Sequence, residues 1–245
     1  MESKIKLKMM FFKKKVNGLD GLLVEKQEQI FYINNINRGD TIFDVGANVG
    51  EFTLLFSRFA DMNGHVHSFE PTPATFEKLS AIIKNANKTN VKINNLAVSN
   101  ESGFINFNLY EEEFAALNTM ANRPLENYGV NIIPPKAIKI PCTNIDDYCI
   151  KNSINVIDLL KIDVEGAELN VLNGAKKMFA DKKIKICAFE FGQTIFDMGN
   201  TVKQYKDFFE KYGYQVKNVA KEQNVFPIDE KTGWGCFSVL YAKPK

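Results

Sequence analysis

Six carboxylates stand at or just beyond the ends of apolar runs: Asp44, Glu70, Asp163, Glu165, Glu168 and Glu190. Carboxylates so placed can grip hydroxyls, hold or accept a proton, or gather a divalent cation. Asp44 opens the run Asp44-Val45-Gly46-Ala47-Asn48-Val49-Gly50, which leads into a helical stretch. Glycines here allow a sharp turn and the close approach of a ligand. The helix beyond presents unpaired N–H groups and the positive end of its dipole. The pattern is that of a nucleotide loop, so the question is which nucleotide. A dinucleotide fingerprint reads Gly-x-Gly-x-x-Gly. Counted from Gly46, the second glycine is Asn48 and the third is Glu51. A carboxylate at the helix start repels a pyrophosphate, and the Gly-Lys-Ser/Thr of a P-loop is absent. A phosphate ligand is therefore disfavoured, and a nicotinamide dehydrogenase with it.

Glu70 closes the second apolar run, with Pro71 after it. An acid at that place can take both hydroxyls of a ribose. A turn loop plus a ribose acid, without phosphate chemistry, fits S-adenosylmethionine, which carries a ribose, an adenine and an amino-acid tail. Methyl transfer is a direct displacement at carbon, so holding the nucleophile in line is the main task and can supply about 7–11 kcal/mol. A neutral alcohol also needs a group to take its proton. Asp163 is the first candidate for orienting or deprotonating an acceptor and Glu190 the second. Glu165 and Glu168 also suit the start of the next helix, where acids complement the dipole. Lys161 shares the strand face of Asp163 and can pair with a carboxylate below the site. The same rim could collect Mg²⁺. A cofactor free of pyrophosphate creates no independent need for the ion, so no metal is expected.

The elements that must position these groups alternate between strand and helix. Strands are expected at Asp40–Val45, Val66–Phe69, Val91–Val98, Leu159–Val164 and Ile184–Phe191, with Tyr214–Val219 and Cys236–Ala242 closing the sheet. Helices are expected at Val24–Ile36, Glu51–Ala60, Ala74–Asn87, Ala167–Phe179 and Lys203–Lys211. Apolar strands alternating with helices give an α/β fold with a doubly wound, mostly parallel sheet and helices on both faces. Ligands in such sheets bind beyond the carboxyl ends of the strands. Two segments stand outside the alternation. Residues 1–38 form an N-terminal extension ahead of a domain at 39–245, and residues 99–158 an insertion between the third and fourth strands. Both are placed to cover a substrate.

The residues FDVGANVGEFT at 43–53, HSFEP at 67–71, LAVSNESG at 96–103, NIDDY at 144–148 and LLKIDVEGAELNVLNGA at 159–175 resemble the FkbM-type methyltransferases. The match runs in order from about residue 38 to residue 192, and KIDVEGAE is its most specific phrase. The resemblance implies a Rossmann-like seven-stranded fold and S-adenosylmethionine-dependent transfer of a methyl group to a hydroxyl of a sugar, glycan or small natural product. Carried onto this chain, the cofactor loop corresponds to Asp44, Gly46, Ala47, Asn48 and Gly50, and the ribose acid to Glu70 beside Pro71. Asn95, Leu96 and Ala97 are expected near the adenine, and Asp163 near the reactive methyl.

The remaining composition narrows the alternatives. The chain has 245 residues, 45% hydrophobic and 24% charged, which is ordinary for a soluble globular protein. No apolar run approaches a membrane span or a signal-peptide core, so a cytoplasmic location is expected. Cys142, Cys149, Cys187 and Cys236 match no zinc spacing and read as core residues. His65 and His67 share a strand face, but two ligands rarely make a site. Lys4, Lys6, Lys8 and Lys13 to Lys15 flank Phe11 and Phe12, which keeps open an RNA methyltransferase or contact with an anionic membrane. Against nucleic acid, the net charge is only +2, and the fourth strand lacks the Asn-Pro-Pro-aromatic tetrapeptide that base-amino methyltransferases resemble. A fold that keeps the cofactor without turnover is a further rival, and a homodimer stays open.

Overall fold

The computed structural model describes residues 21–110, 118, 120, 136–220, 225–226 and 237–245. The N-terminal basic run, most of the 110–135 segment, Trp234 and Cys236 lie outside the described residues. In chain order the elements are α1 (Gly21–Asn35), β1 (Thr41–Val45), α2 (Glu51–Ala60), β2 (His65–Phe69), α3 (Pro73–Asn85), β3 (Val91–Asn94), β4 (Ala97–Val98), β5 (Gly103–Leu109) and β6 (Lys136–Thr143). They continue with α4 (Ile145–Lys151), β7 (Ile157–Ile162), α5 (Glu168–Asn173), α6 (Lys176–Ala180), β8 (Ile184–Gly192), α7 (Gln193–Asp197), α8 (Val202–Lys211), β9 (Tyr214–Asn218) and β10 (Phe237–Pro244).

The main sheet has seven strands in the order β3-β2-β1-β7-β8-β10-β9. β3, β2, β1, β7 and β8 run parallel, and β10 pairs antiparallel with both β8 and β9. This is the mostly parallel, seven-stranded sheet that the alternation and the resemblance imply. Its central parallel strands, β1, β7 and β8, are mostly apolar because helices cover both faces. One face packs Phe43, Leu160, Ile162, Phe189 and Phe191 against α5, α6 and α8. The other packs Ile42, Val66, Leu159 and Ala188 against α1 and α2 through Tyr32 and Phe56. Successive side chains on a strand point to opposite faces, so Asp44, Lys161, Asp163 and Glu190 all belong to the α1 and α2 side. Tyr241 packs on Phe31 at 4.7 Å between ring centres, which ties β10 to α1.

Three expected elements are corrected. The single strand at Val91–Val98 is two: β3 edges the main sheet, while β4 leaves it and pairs with β6 in a three-stranded sheet with β5. The break falls where Asn95 Nδ2 donates to the carbonyls of Glu70 (2.8 Å) and Pro71 (3.1 Å), which turns the chain away from the edge. The helix expected at Ala167–Phe179 divides into α5 and α6. Gly174 lies so close to Ser99 that a Cβ there would stand 2.1 Å from the Ser99 carbonyl oxygen. The fourth strand ends at Ile162 rather than Val164 because the chain turns through left-handed Glu165 (φ 55°) and Gly166 (φ 104°).

Candidate active site

The loop after β1 is closed by its own hydrogen bonds. The N–H groups of Gly46 and Ala47 both donate to the Phe69 carbonyl, at 3.0 and 2.9 Å, and Gly50 N–H donates to the Ala47 carbonyl at 2.9 Å. Asn48, in the left-handed conformation that asparagine tolerates, donates its N–H to Glu70 Oε2 at 3.0 Å. These donors are therefore not aimed at a phosphate. Gly46 is required by close approach. A Cβ there would stand 1.8 Å from the Asp163 carbonyl oxygen, and φ is 82°. The closeness that the sequence reading assigned to a ligand is met here by β7. Ala47 packs inward on Leu79 and Ile83.

Glu70 is buried and accepts Thr72 N–H on Oε1 at 2.8 Å as well as Asn48 N–H on Oε2. Burial raises its pKa, and the Thr72 and Asn48 bonds oppose the rise. The Thr72 side chain also hydrogen-bonds this carboxylate, so of its roughly four acceptor directions about one is left for a hydroxyl. Asn95 braces the Glu70–Pro71 backbone through its side chain. Leu96 is partly buried against the core, and Ala97 is buried within the small sheet. Asn118, returning from the insertion, accepts Tyr110 N–H at 2.8 Å and lies 3.4 Å from Thr72 Oγ1, two residues beyond the Glu70 acid.

Asp44 is directed into the fold. It is fully buried and accepts the Thr53 hydroxyl at 2.6 Å, while Lys161 Nζ stands 3.5 Å from its other oxygen. Lys161 Nζ also lies 3.3 Å from Asp163 Oδ2 and 5.1 Å from the centre of the Phe52 ring. Burial would lower the lysine pKa, but the carboxylates of Asp163, Asp44 and Glu28 outweigh it and hold the ammonium charged. Side-chain exposure is 3% at Lys161 and 38% at Asp163. The network is sealed at its base and opens at Asp163.

Although β7 ends before it, Asp163 donates its N–H to the Val45 carbonyl at 3.0 Å and keeps its place beside β1. Asp163, Glu165 and Glu190 each offer an oxygen within 4.8 Å of the others. Burial and then the charges of Asp163, Glu165 and Glu168 push the Glu190 pKa well up, and its side chain hydrogen-bonds Asp163. Glu168 stays out of this group. Fully buried, it accepts the N–H groups of Val164 (3.1 Å) and Gly166 (3.2 Å) and so shapes the turn, and burial pushes its pKa up to about 7. His67 packs on Phe43 and bonds the Tyr148 hydroxyl at 3.0 Å, and His65 is exposed, so no metal pair forms between them. Burial lowers the His67 pKa to about 4. Cys142, Cys149 and Cys187 are buried free thiols.

Two participants escaped the sequence reading. Thr53 ends the matched run at 43–53, with no role assigned to it. Glu28 lies in the extension, where no motif marks it.

Residues 44–216 match the model of the methyltransferase FkbM domain. The chain belongs to the FkbM methyltransferase family. Among relatives, it is 32% identical over 160 residues to 31-O-demethyl-FK506 methyltransferase FkbM of Streptomyces tacrolimicus, covering 56% of this chain and 60% of that one. It is 27% identical over 136 residues to the hexuronic acid methyltransferase AglP of Haloferax volcanii, covering 55% and 49%. The chain thus spans about half to three-fifths of the length of these FkbM-family relatives. The fold superposes on the crystal structure of methyltransferase FkbM from Methylobacillus flagellatus KT with a TM-score of 0.50 at 15% identity, covering 84% of this chain and 43% of that one. An rRNA methylase from Streptococcus thermophilus also gives 0.50, at 11% identity, covering 91% and 97%. The fold alone therefore does not choose the acceptor.

Proposed function

We propose that this FkbM-family chain is an S-adenosylmethionine-dependent O-methyltransferase whose acceptor is a hydroxyl of a sugar, glycan or small natural product. Exposure along the Asp44–Lys161–Asp163 chain carries the reading. Two buried charges hold a third at the mouth of the sheet's carboxyl edge, where ligands of such folds bind. The names of the relatives, a demethyl-FK506 methyltransferase and a hexuronic acid methyltransferase, support hydroxyl-bearing natural products and sugars as the acceptor class.

The residues suit the cofactor by their donor set. Glu70 offers an acceptor to a ribose hydroxyl, and the loop N–H groups that would serve a pyrophosphate are already used. When bound, S-adenosylmethionine supplies a methyl group already activated on a sulfonium. Asp163 orients the acceptor hydroxyl and takes its proton. Lys161 fixes the Asp163 carboxylate at 3.3 Å. Glu190, with its raised pKa, holds a proton and donates it in the hydrogen bond to Asp163. Glu165 faces the same mouth. The described part of the N-terminal extension, α1, walls the Lys161 side, and the insertion reaches the adenosine side through Asn118.

No helix among the described residues is long and apolar enough to cross a membrane. Calorimetry with S-adenosylhomocysteine and with NAD, side by side, tests the cofactor. Micromolar binding of the former alone is expected, and binding of NAD instead would overturn the proposal.

A further inference from the structure

The sequence reading treats the extension as a cover, but α1 also sends a carboxylate towards the charged network. Tyr32 is fully buried and donates its hydroxyl to Glu28 Oε1 at 2.8 Å. The Tyr32 ring packs edge-on against Phe52 at 5.2 Å, and Phe52 is the ring over which Lys161 Nζ lies. Glu28 is thereby fixed on the Lys161 side of the sheet. Its carboxylate acts on Lys161 as the third after those of Asp163 and Asp44.

We propose that Glu28 is a positioning residue of the transfer site, placing a carboxylate on the Lys161 side of the network that opposes the ammonium and so sets the field felt by the Asp163–Glu190 pair. This rests on the reading of Asp163 as the acceptor-side carboxylate. Charges act additively on a titrating group. The Lys161 ammonium favours the anionic forms of Asp163 and Glu190, and the Glu28 carboxylate opposes them, so removing Glu28 removes that opposition. Asp44 is already committed to Thr53, so the change falls chiefly on Asp163 and on the carboxyl that bonds it. Burial pushes the Glu28 pKa up to about 7, against the lowering by Lys161, so this opposing charge appears near neutral pH. The groups that face Glu28 are Glu25 and Tyr32 on its own helix and Lys161 and Asp163 at the end of β7. Asp44 on β1 and Glu190 on β8 couple to it through Lys161 and Asp163.

The test is a carboxyl ¹³C NMR titration of the full chain, labelled at Asp and Glu, with the Asp163 signal assigned by its loss in Asp163→Asn and the Glu190 signal by its loss in Glu190→Gln. In Glu28→Gln the Glu190 titration is expected to move to lower pH by about half a unit or more, because a negative charge has left the network. Glu28→Asp is expected to restore most of the parent curve. An unchanged curve in folded Glu28→Gln overturns the proposal, as does a Glu28→Asp curve that coincides with that of Glu28→Gln. Should Glu28→Gln not fold, Tyr32→Phe carries the test. It releases Glu28 from its anchor, a smaller movement in the same direction is expected, and none overturns the proposal. S-adenosylhomocysteine binding, measured on the same samples, is a separate readout. Its absence in the parent would remove the cofactor reading, while the titration still decides whether Glu28 acts on the pair.

Discussion

Asp44 and Lys161 are register partners across β1 and β7, and the pair is all but sealed from solvent, with side-chain exposures of 0% and 3%. The two occupy matching positions one row below the mouth of the site. A buried ion pair contributes little net stability, but breaking one by removing a single partner strands the other charge. Lys161→Met is therefore expected to destabilise the fold by about 3–5 kcal/mol, read as a lower urea midpoint. A midpoint equal to that of the parent would show that Asp44 is not held by this ammonium.

Glu168 gives the fold a distinct pH signature. Burial pushes its pKa from 4.5 up to about 7. The folded chain then keeps a proton that the unfolded chain releases, so the contribution of Glu168 to stability is full below about pH 4.5 and is lost as pH rises towards about 7. Glu168→Gln keeps an acceptor for Val164 and Gly166 and has no proton to lose. Relative to the parent, the variant is expected to gain on the order of 2–3 kcal/mol between about pH 5 and pH 7. Urea melts of both proteins at each pH provide the measurement. Comparison at each pH also removes the opposite trend from His67, whose lowered pKa costs stability as pH falls towards about 4. A difference that stays flat across the window would refute the assignment.

Much of this site could be read from the sequence because local pattern decides it. The loop at 44–50, the acid at 70 and the carboxylates after LLKI fall at strand ends, and the alternation of apolar runs fixes where strands end. What escaped depends on contacts far apart in the chain. Gly46 answers to the Asp163 backbone rather than to a ligand. The break after Asn94 is set by an asparagine reaching back to residues 70 and 71. Asp44 has the residue type of a ligand-facing acid, yet its neighbours Thr53 and Lys161 turn it into a buried support. Alternation would put Glu165 on the face of Asp163 had the strand run on, but the strand ends at Ile162 and Glu165 lies in a left-handed turn beyond it. Glu28 joins the network through tertiary packing of a helix with no diagnostic motif.

The Glu70 acid makes a prediction about affinity. Its two oxygens already hold the Asn48 N–H and both the N–H and the side chain of Thr72, leaving about one acceptor direction for a ribose hydroxyl. Glu70→Gln keeps one acceptor oxygen but loses the charge and half of the grip. S-adenosylhomocysteine is expected to bind roughly 10- to 100-fold more weakly, as for the loss of a charge-assisted hydrogen bond. Parent-like affinity by calorimetry would place the ribose elsewhere.

The oxygens of Asp163, Glu165 and Glu190 lie close enough to invite a divalent cation. The Lys161 ammonium offsets part of their charge, and the burial and crowding that push the Glu190 pKa well up favour its neutral form. Turnover is therefore expected to survive EDTA unchanged. Activity lost to the chelator and restored specifically by Mg²⁺ would reverse that assignment.

Asp163 is the exposed end of a chain whose other members are buried, so substituting it separates chemistry from binding. Asn preserves the shape and can still accept from Lys161, but it cannot take a proton. Proton transfer by a positioned side chain supplies about 10²- to 10⁴-fold. With an acceptor that the parent methylates, Asp163→Asn is expected to lower kcat by roughly 100-fold or more. The calorimetric affinity for S-adenosylhomocysteine should stay within about threefold, since the proposed ribose grip is Glu70, just beyond the end of β2. A parallel loss of affinity would mean that Asp163 chiefly holds the cofactor. An unchanged kcat would move the proton to Glu165 or to solvent, and the Lys161 network would then serve the fold alone.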